Sequence, residues 1–424
     1  MNLIKVTLLF MMMFNYLFAL DAKMEIVNKG KTIPKILISL ASDATNNELL
    51  SKVKKLIDKD LLVSGHFRTS DLKFSGLLDE MPNFVTLKKE NIDLFLNLSS
   101  DVTSNGNMTI HIKLYDVNQN KIVLNKVYTT SSKKRYPFLS HKVSIEINEY
   151  LNAPTIKWMD KLIVFSRYKN SKESEIVISD YTLTYQHVVV KGGLNIFPKW
   201  TDNTQESFYY TSLNGIMPQL KKQNLYTQVV NNIQESDGML VCSDVSKINP
   251  TMILTKAPNG QPDIYIYNHE KKINTRLTNY KGIDVGGSFV ENDTKVVFVS
   301  DRLKYPNIFA KTIGHKGVER LVYHGKNNSQ CTTFSDYIVY ASRETDNEFG
   351  RNSFNLYLIS TRSDFIRRLT TTGRNQFPKF SKDGDSILFI KNYNNKSYLG
   401  IIRVNYNKSF LFPLEDGKLQ SIDW

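Results

Sequence analysis

The sequence predicts two domains: a small N-terminal α/β domain followed by an all-β six-bladed β-propeller closed by a C-terminal strand. Three observations predict this. A glycine-led phrase, "GLNIFPKWTDN" at 193–203, returns as "GRNQFPKFSKDG" at 373–384. Glycines in the same role stand at Gly193, Gly238, Gly282, Gly325, Gly373 and Gly417, in steps of 45, 44, 43, 48 and 44 residues, the period of propeller blades. Between these marks three apolar segments recur in one order, whereas the chain up to about residue 150 mixes strand and helix patterns.

Residues 1–19 read as a secretory signal. "MNLIK" is a short basic start, and "VTLLFMMMFNYLFA" is a largely apolar run of 14 residues before polar sequence begins at Asp21. Spanning a bilayer takes roughly 20 apolar residues, so the run is short for a transmembrane helix. Cleavage near Ala19 is expected, with Leu17 a poor fit to the small-residue rule; an uncleaved anchor is the competing reading.

The α/β domain is expected over residues 20–150. "PKILISLA" is a short buried strand. In "ATNNELLSKVKKLIDKDLL" the residues Leu49, Val53, Ile57 and Leu61 fall on one helical face, with Thr45 or Asn46 as caps. "NMTIHIKLYDVNQNKIVLNKVYT" reads as a hairpin turning at Asn118–Asn120. "FLSHKVSIEINEYL" is a helix with Leu139, Val143, Ile147 and Leu151 inward. His111 and His141 read as solvated surface histidines, because no nucleophile or metal ligand stands at a telling spacing.

The propeller is expected over 151–424. The strand after each glycine phrase is "IVFS", "FYYT", "MILT", "VVFVS", "IVYAS" or "ILFI"; the next is "EIVIS", "NLYTQ", "DIYIY", "NIFAK", "NLYLIS" or "LGIIRV"; a third precedes the next glycine. The glycine phrase supplies the strand nearest the axis. Gly tolerates the positive φ of the step between blades, an Asn or Asp two residues on can fix that turn, and Trp200, Phe289, Phe334 and Phe380 are plates for blade packing. "GKLQSIDW" repeats the Gly193-to-Trp200 separation, so residues 418–424 are expected to pair with 161–190 and shut the ring; "TIKW" at 155–158 is the rival. Cys242 and Cys331 fall two blades apart, beyond bridging distance, and are expected to be free thiols.

Composition excludes more than it assigns. A 41% hydrophobic and 11% aromatic content argues against disorder, and the net charge of +14 favours acidic partners, although Lys and Arg are scattered and export argues against nucleic acid. No G-x-S-x-G, H-E-x-x-H, Walker loop or G-x-G-x-x-G is present, and "SKDGDS" lacks the downstream ligands of a calcium loop. Carboxylate pairs formed only in space are invisible in sequence. A secreted carbohydrate-active or peptidase-like propeller therefore stays as the alternative class.

A leader, a small α/β domain and units of the form G-x-N-x-F-P-K-W together resemble the TolB family, periplasmic proteins of the Tol-Pal system. The front domain carries the resemblance in "LLVSGHFRTSD", "IKLYDV" and "HKVSIEINEYL". The propeller carries it in "GLNIFPKWTDN", "DIYIY", "TRLT", "FVSDR" and "GRNQFPKFSKDG"; the units "GMLVCSD" and "GIDVGGSF" and the ending "SIDW" depart from the pattern. The resemblance implies a non-enzymatic, monomeric periplasmic protein that links the Pal lipoprotein to TolA and serves outer-membrane integrity and constriction during division. It reaches the outer membrane only through Pal. No cofactor is implied, and a divalent cation in the channel would have no assigned ligands. The implied Pal-facing residues are Gly193, Asn195, Asp284, Asn327, Asn328, Gly373 and Asn375, for which a turn-fixing role is the alternative. The implied TolA-facing segment comprises Asp21, Ala22, Lys23, Met24, Glu25 and Ile26, within 20–31.

Overall fold

A computed structural model of the chain describes residues 33–45, 47–102, 106–344 and 353–424. The expected leader, the segment Asp21–Ile26 and the candidate cap Asn46 lie outside these residues. The front domain is a mixed sheet with helices. Its elements are β1 (Lys35–Leu40), α1 (Asn47–Ser64), β2 (Arg68–Ser70), α2 (Phe84–Lys89), β3 (Leu94–Val102), β4 (Met108–Asp116), β5 (Lys121–Thr130) and α3 (Tyr136–Tyr150). The strand order is β2-β1-β3-β4-β5, with β1 parallel to β2 and β3 and the remaining pairs antiparallel. Period-2 alternation puts Met108, Ile110, Ile112 and Leu114 inward, where they meet Val53, Ile57 and Leu61 of α1 and Leu139, Val143 and Ile147 of α3 in one core. Thr45 does not cap α1; its hydroxyl donates to the Ser100 carbonyl at 2.8 Å.

The rest of the chain is a series of four-stranded antiparallel units over 195–235, 240–276, 284–320, 326–368 and 374–413. A further unit, 163–190, takes its inner strand from Lys418–Asp423. That last strand runs antiparallel to Ile163–Asn170, with Ile422 opposite Phe165. Each inner strand touches the next, and Arg374–Phe380 reaches Lys418–Asp423, so the inner strands enclose an axis. The rival "TIKW" holds no strand. Lys157–Asp160 is a 3-10 turn, and Trp158 is buried beside Trp424. In the second unit the outer strands sit away from the expected segments. Gln219–Asn224 and Val230–Glu235 pair, and "NLYTQ" forms the turn between them because the Asn224 side-chain oxygen accepts from the Tyr226 and Thr227 amides at 2.9 Å.

Blades pack as the aromatic plates suggest. Trp200 lies in a cluster with Val164, Ile176 and Phe208, and Phe380 packs on Phe334 and on a core of Val339, Leu356, Ile387 and Phe389.

The front domain docks on one end of the propeller through buried charge. His141 is not solvated: its Nδ1 meets Asp60 Oδ2 at 2.8 Å, its Nε2 meets Asp180 Oδ2 at 3.4 Å, and all three side chains are fully buried. Helical periodicity does place residue 141 beside Lys142 on an outer flank of α3, but that flank faces the propeller. Tyr181 donates to Asp60 Oδ1 at 2.5 Å and Ser144 to Oδ2 at 3.0 Å, while Asp180 accepts the Thr182 and Tyr185 amides at 2.8 and 2.6 Å. His66 joins Asn148 Oδ1 (2.5 Å) to the Tyr406 hydroxyl (2.7 Å). Burial alone would push His141 down, but the charges of and hydrogen bonds to Asp60 and Asp180 outweigh it and raise its pKa to about 10. The 180–185 loop lies at the same end of its unit as Trp424, and the glycine phrases open at the other end, away from the front domain.

Two outcomes follow from this architecture. Deleting 418–424 should lower the melting temperature of the propeller sharply in calorimetry while the front-domain transition persists, because an inner strand is removed and an edge opened. His141, ionised in the fold, adds stability in full below its unfolded value of about 6.5 and loses it as pH rises toward about 10. Urea unfolding across that window should show a decline in the wild type that His141→Gln flattens.

Candidate functional site: the propeller mouth and channel

The glycine phrases make the turns around the mouth. Gly193, Gly325, Gly373 and Gly417 have φ of +66°, +74°, +80° and +83°. Gly238 and Gly282 lie outside that region and are held to glycine by close approach, a Cβ at Gly238 falling 2.1 Å from the Ala257 carbonyl oxygen. The polar residues that follow do not stand open to a ligand. Asn195 is buried, its amide donating to the Gly192 carbonyl at 2.8 Å. Asn375 is buried and donates to the carbonyls of Thr372 (3.0 Å) and Phe354 (2.9 Å). Asn328 donates to the His324 carbonyl and Asn307 Oδ1, at 2.7 and 3.1 Å, and Asp284 takes both its hydrogen bonds from Arg302, at 3.0 and 2.9 Å. Asn195, Asn328 and Asn375 fix turns, and Asp284 is occupied by Arg302. Only Gly193, Gly373 and the half-buried Asn327 present any surface at the mouth.

What the mouth does expose is apolar and charged, with the acids Asp237, Glu415 and Asp416 beside a larger number of cations. The loop "LNGIMP" (213–218) bares Leu213, Ile216 and Met217. Met239, Ile283, Leu303, Tyr305, Tyr323 and Tyr393 continue the apolar surface across the following units. Exposed cations sit among them, at Lys191, Lys281, Lys304, Lys326, Arg374 and Lys418. Sequence reasoning missed these residues. Their signal was large hydrophobes inside turn sequences, where a solvated loop has no use for them.

Behind the mouth lies a cavity of about 280 Å³ that runs inward from Met239 between the inner strands. Each inner strand kinks by a bulge as it approaches the axis, and Phe197 and Phe377 take left-handed φ of +54° and +52° there. Both line the cavity. The displaced amides are caught by neighbours: Phe197 N–H donates to Ser421 Oγ (3.1 Å) and Phe377 N–H to Gln330 Oε1 (3.0 Å). One step further, Asp423 accepts the Trp200 amide (3.0 Å) and Asp244 accepts the Phe289 amide (3.0 Å).

Lys199 stands between these carboxylates, 3.0 Å from Asp423 and 3.3 Å from Asp244. Burial would lower its pKa, but the two charges raise it well above the usual lysine range. Burial pushes the Cys331 thiol up to about 12 and Cys242 higher still. Both are buried and free, and both are inert as nucleophiles. Among the described residues no group of three or more His, Cys, Asp or Glu stands together as a metal site would require.

Two family models match the chain, that of the TolB beta propeller domain over residues 158–424 and that of the TolB amino-terminal domain over 22–123. The chain is 47% identical to the Tol-Pal system protein TolB of Helicobacter hepaticus over 410 residues, covering 96% of this chain and 97% of that protein. It is 42% identical to the Tol-Pal system protein TolB of Campylobacter jejuni strain RM1221, covering 99% and 100%. The crystal structure of TolB from Acinetobacter baumannii superposes with a TM-score of 0.76 at 21% identity, covering 92% of this chain and 97% of that one, which speaks for the fold.

Asp423→Ala should cost about 3 kcal/mol in chemical denaturation, because it strands the Trp200 amide and half the pairing of Lys199. Asp416→Asn, whose contact with Lys169 is in open solvent, should leave the midpoint where it is.

Proposed function

Because the chain belongs to the TolB family of Tol-Pal system proteins, we propose that it is the periplasmic link between the Pal lipoprotein and TolA, acting by binding and not by catalysis. The observation that carries this is the mouth: a broad apolar surface set among cations, turned away from the front domain. Aromatic and aliphatic side chains supply buried contact area on association, and the lysines steer an acidic partner. Pal is the partner assigned to this face, with the turns at Gly193, Asn327 and Gly373 at its rim. TolA is assigned to 20–31, a short terminal stretch suited to strand addition. Through Pal the protein would work at the outer membrane during constriction without entering the bilayer. No helix among the described residues is long and apolar enough to cross a membrane.

Titration calorimetry against soluble Pal should give saturable one-to-one binding. Replacing Ile216 with Asp and Tyr323 with Ser should weaken it at least about tenfold, with the melting temperature unchanged. Absence of heat at roughly 100 μM of either partner would overturn the proposal.

A further inference from the structure

The inner strands carry a ring of unequal charge. Strand register places Asp423, Lys199, Asp244, Ser288, Thr332 and Lys379 at one level of the axis, opposite Val164, Tyr209, Ile253, Val297, Val339 and Leu388 of their second strands. On one side of the ring Lys199 is shared by Asp423 and Asp244, and both carboxylates also hold backbone amides. Lys379, next to Asp423 on its other flank, feels the charges of Asp423 and Asp244 but makes no such close contact. Where symmetry would put an acid beside Lys379, Thr332 stands instead, its hydroxyl oxygen accepting the Phe380 amide at 3.4 Å. Among the described residues no carboxylate lies within 4.0 Å of the Lys379 ammonium, although Lys379, Gln330 and Ser288 all line the cavity.

We propose that this half of the channel is a binding site for a carboxylate, held by the ammonium of Lys379 with the Gln330 amide and the Ser288 hydroxyl as further donors. A half-buried ammonium with no carboxylate in direct contact is costly, and an anion entering the cavity relieves the cost. Burial, and next to it the neighbouring Lys199 charge, hold the Lys379 pKa below the usual lysine range, against the smaller opposing pull of Asp423 and Asp244. Gln330 spends its carbonyl oxygen on the Phe377 amide, leaving its NH₂ free to donate into the cavity. The cavity reaches Met239 at the mouth, so the carboxylate is either a free anion or an acidic side chain of a protein seated there. The second source rests on the mouth reading; the site itself does not.

The test uses the full chain and carbon-13-labelled acetate followed by NMR in a carboxylate-free buffer. Wild-type protein should broaden and shift the acetate signal saturably at one equivalent. Lys379→Met should weaken binding at least about tenfold while melting no lower, since no close ion pair is lost. Lys382→Met, at an exposed position, should bind as the wild type does. Equal binding by Lys379→Met, or no saturable signal from the wild type, overturns the proposal. Adding saturating soluble Pal then separates the sources. Displacement of acetate assigns the carboxylate to the seated protein, and coexistence assigns it to a free anion. The acetate arm reads out even if Pal fails to bind.

Discussion

A propeller must be closed, and here closure depends on one carboxylate near the C-terminal end of the sequence. Asp423 belongs to the final strand but serves the first unit and its neighbour. It completes the sheet begun at Ile163, accepts the Trp200 amide, and binds Lys199, which binds Asp244 of the next unit. Three units are thereby held at the axis, two of them through Asp423, which approaches from more than two hundred residues away in sequence. Such a contact cannot form early, because closing that loop costs chain entropy before any pairing returns it.

Crowding at the axis explains the local oddities. Inner strands converging on a narrow channel bend away from regular pairing, and bulges do this at the expense of positive φ at non-glycine residues. Phe197 and Phe377 carry that strain. Each displaced amide then needs an acceptor, and a neighbouring unit supplies it from Ser421 or Gln330. Blade packing by aromatic plates and hydrogen bonding between inner strands are therefore two halves of one solution. The buried His141, Asp60 and Asp180 network fixes the front domain at the opposite end, which leaves the mouth uncovered.

Much of this was legible in the sequence, and the legible part is the part that repeats. The glycine period gave the units, and the seven-residue echo in "GKLQSIDW" pointed to the closing strand. The side chains of Asn195, Asn328 and Asn375 reach the backbone of their own turns, because a short side chain just after a tight turn meets that backbone before it meets solvent, whereas Asp284 binds Arg302. His141 was illegible for a different reason. Helical periodicity tells which face is polar, not that the polar face is buried against a second domain carrying Asp180. The exposed hydrophobes of the mouth escaped because a search for strands discounts apolar residues inside turns.

Those misses share a cause, and it bears on where function sits in a repeat protein. Repetition enforces what every unit needs: strands, turns, plates and an acceptor for the next amide. A site must instead differ from unit to unit, since a ligand is not sixfold symmetric. The ring at the axis shows the distinction. Asp423, Asp244 and Thr332 each accept an amide from the following unit, so the structural duty is met by any acceptor. Charge is the part left free to vary, and with Thr332 in the place of an acid Lys379 keeps only the longer-range pull of Asp423 and Asp244. Departures from the repeat, at the axis as at the mouth, are thus the positions on which binding can be selected without loss of the fold.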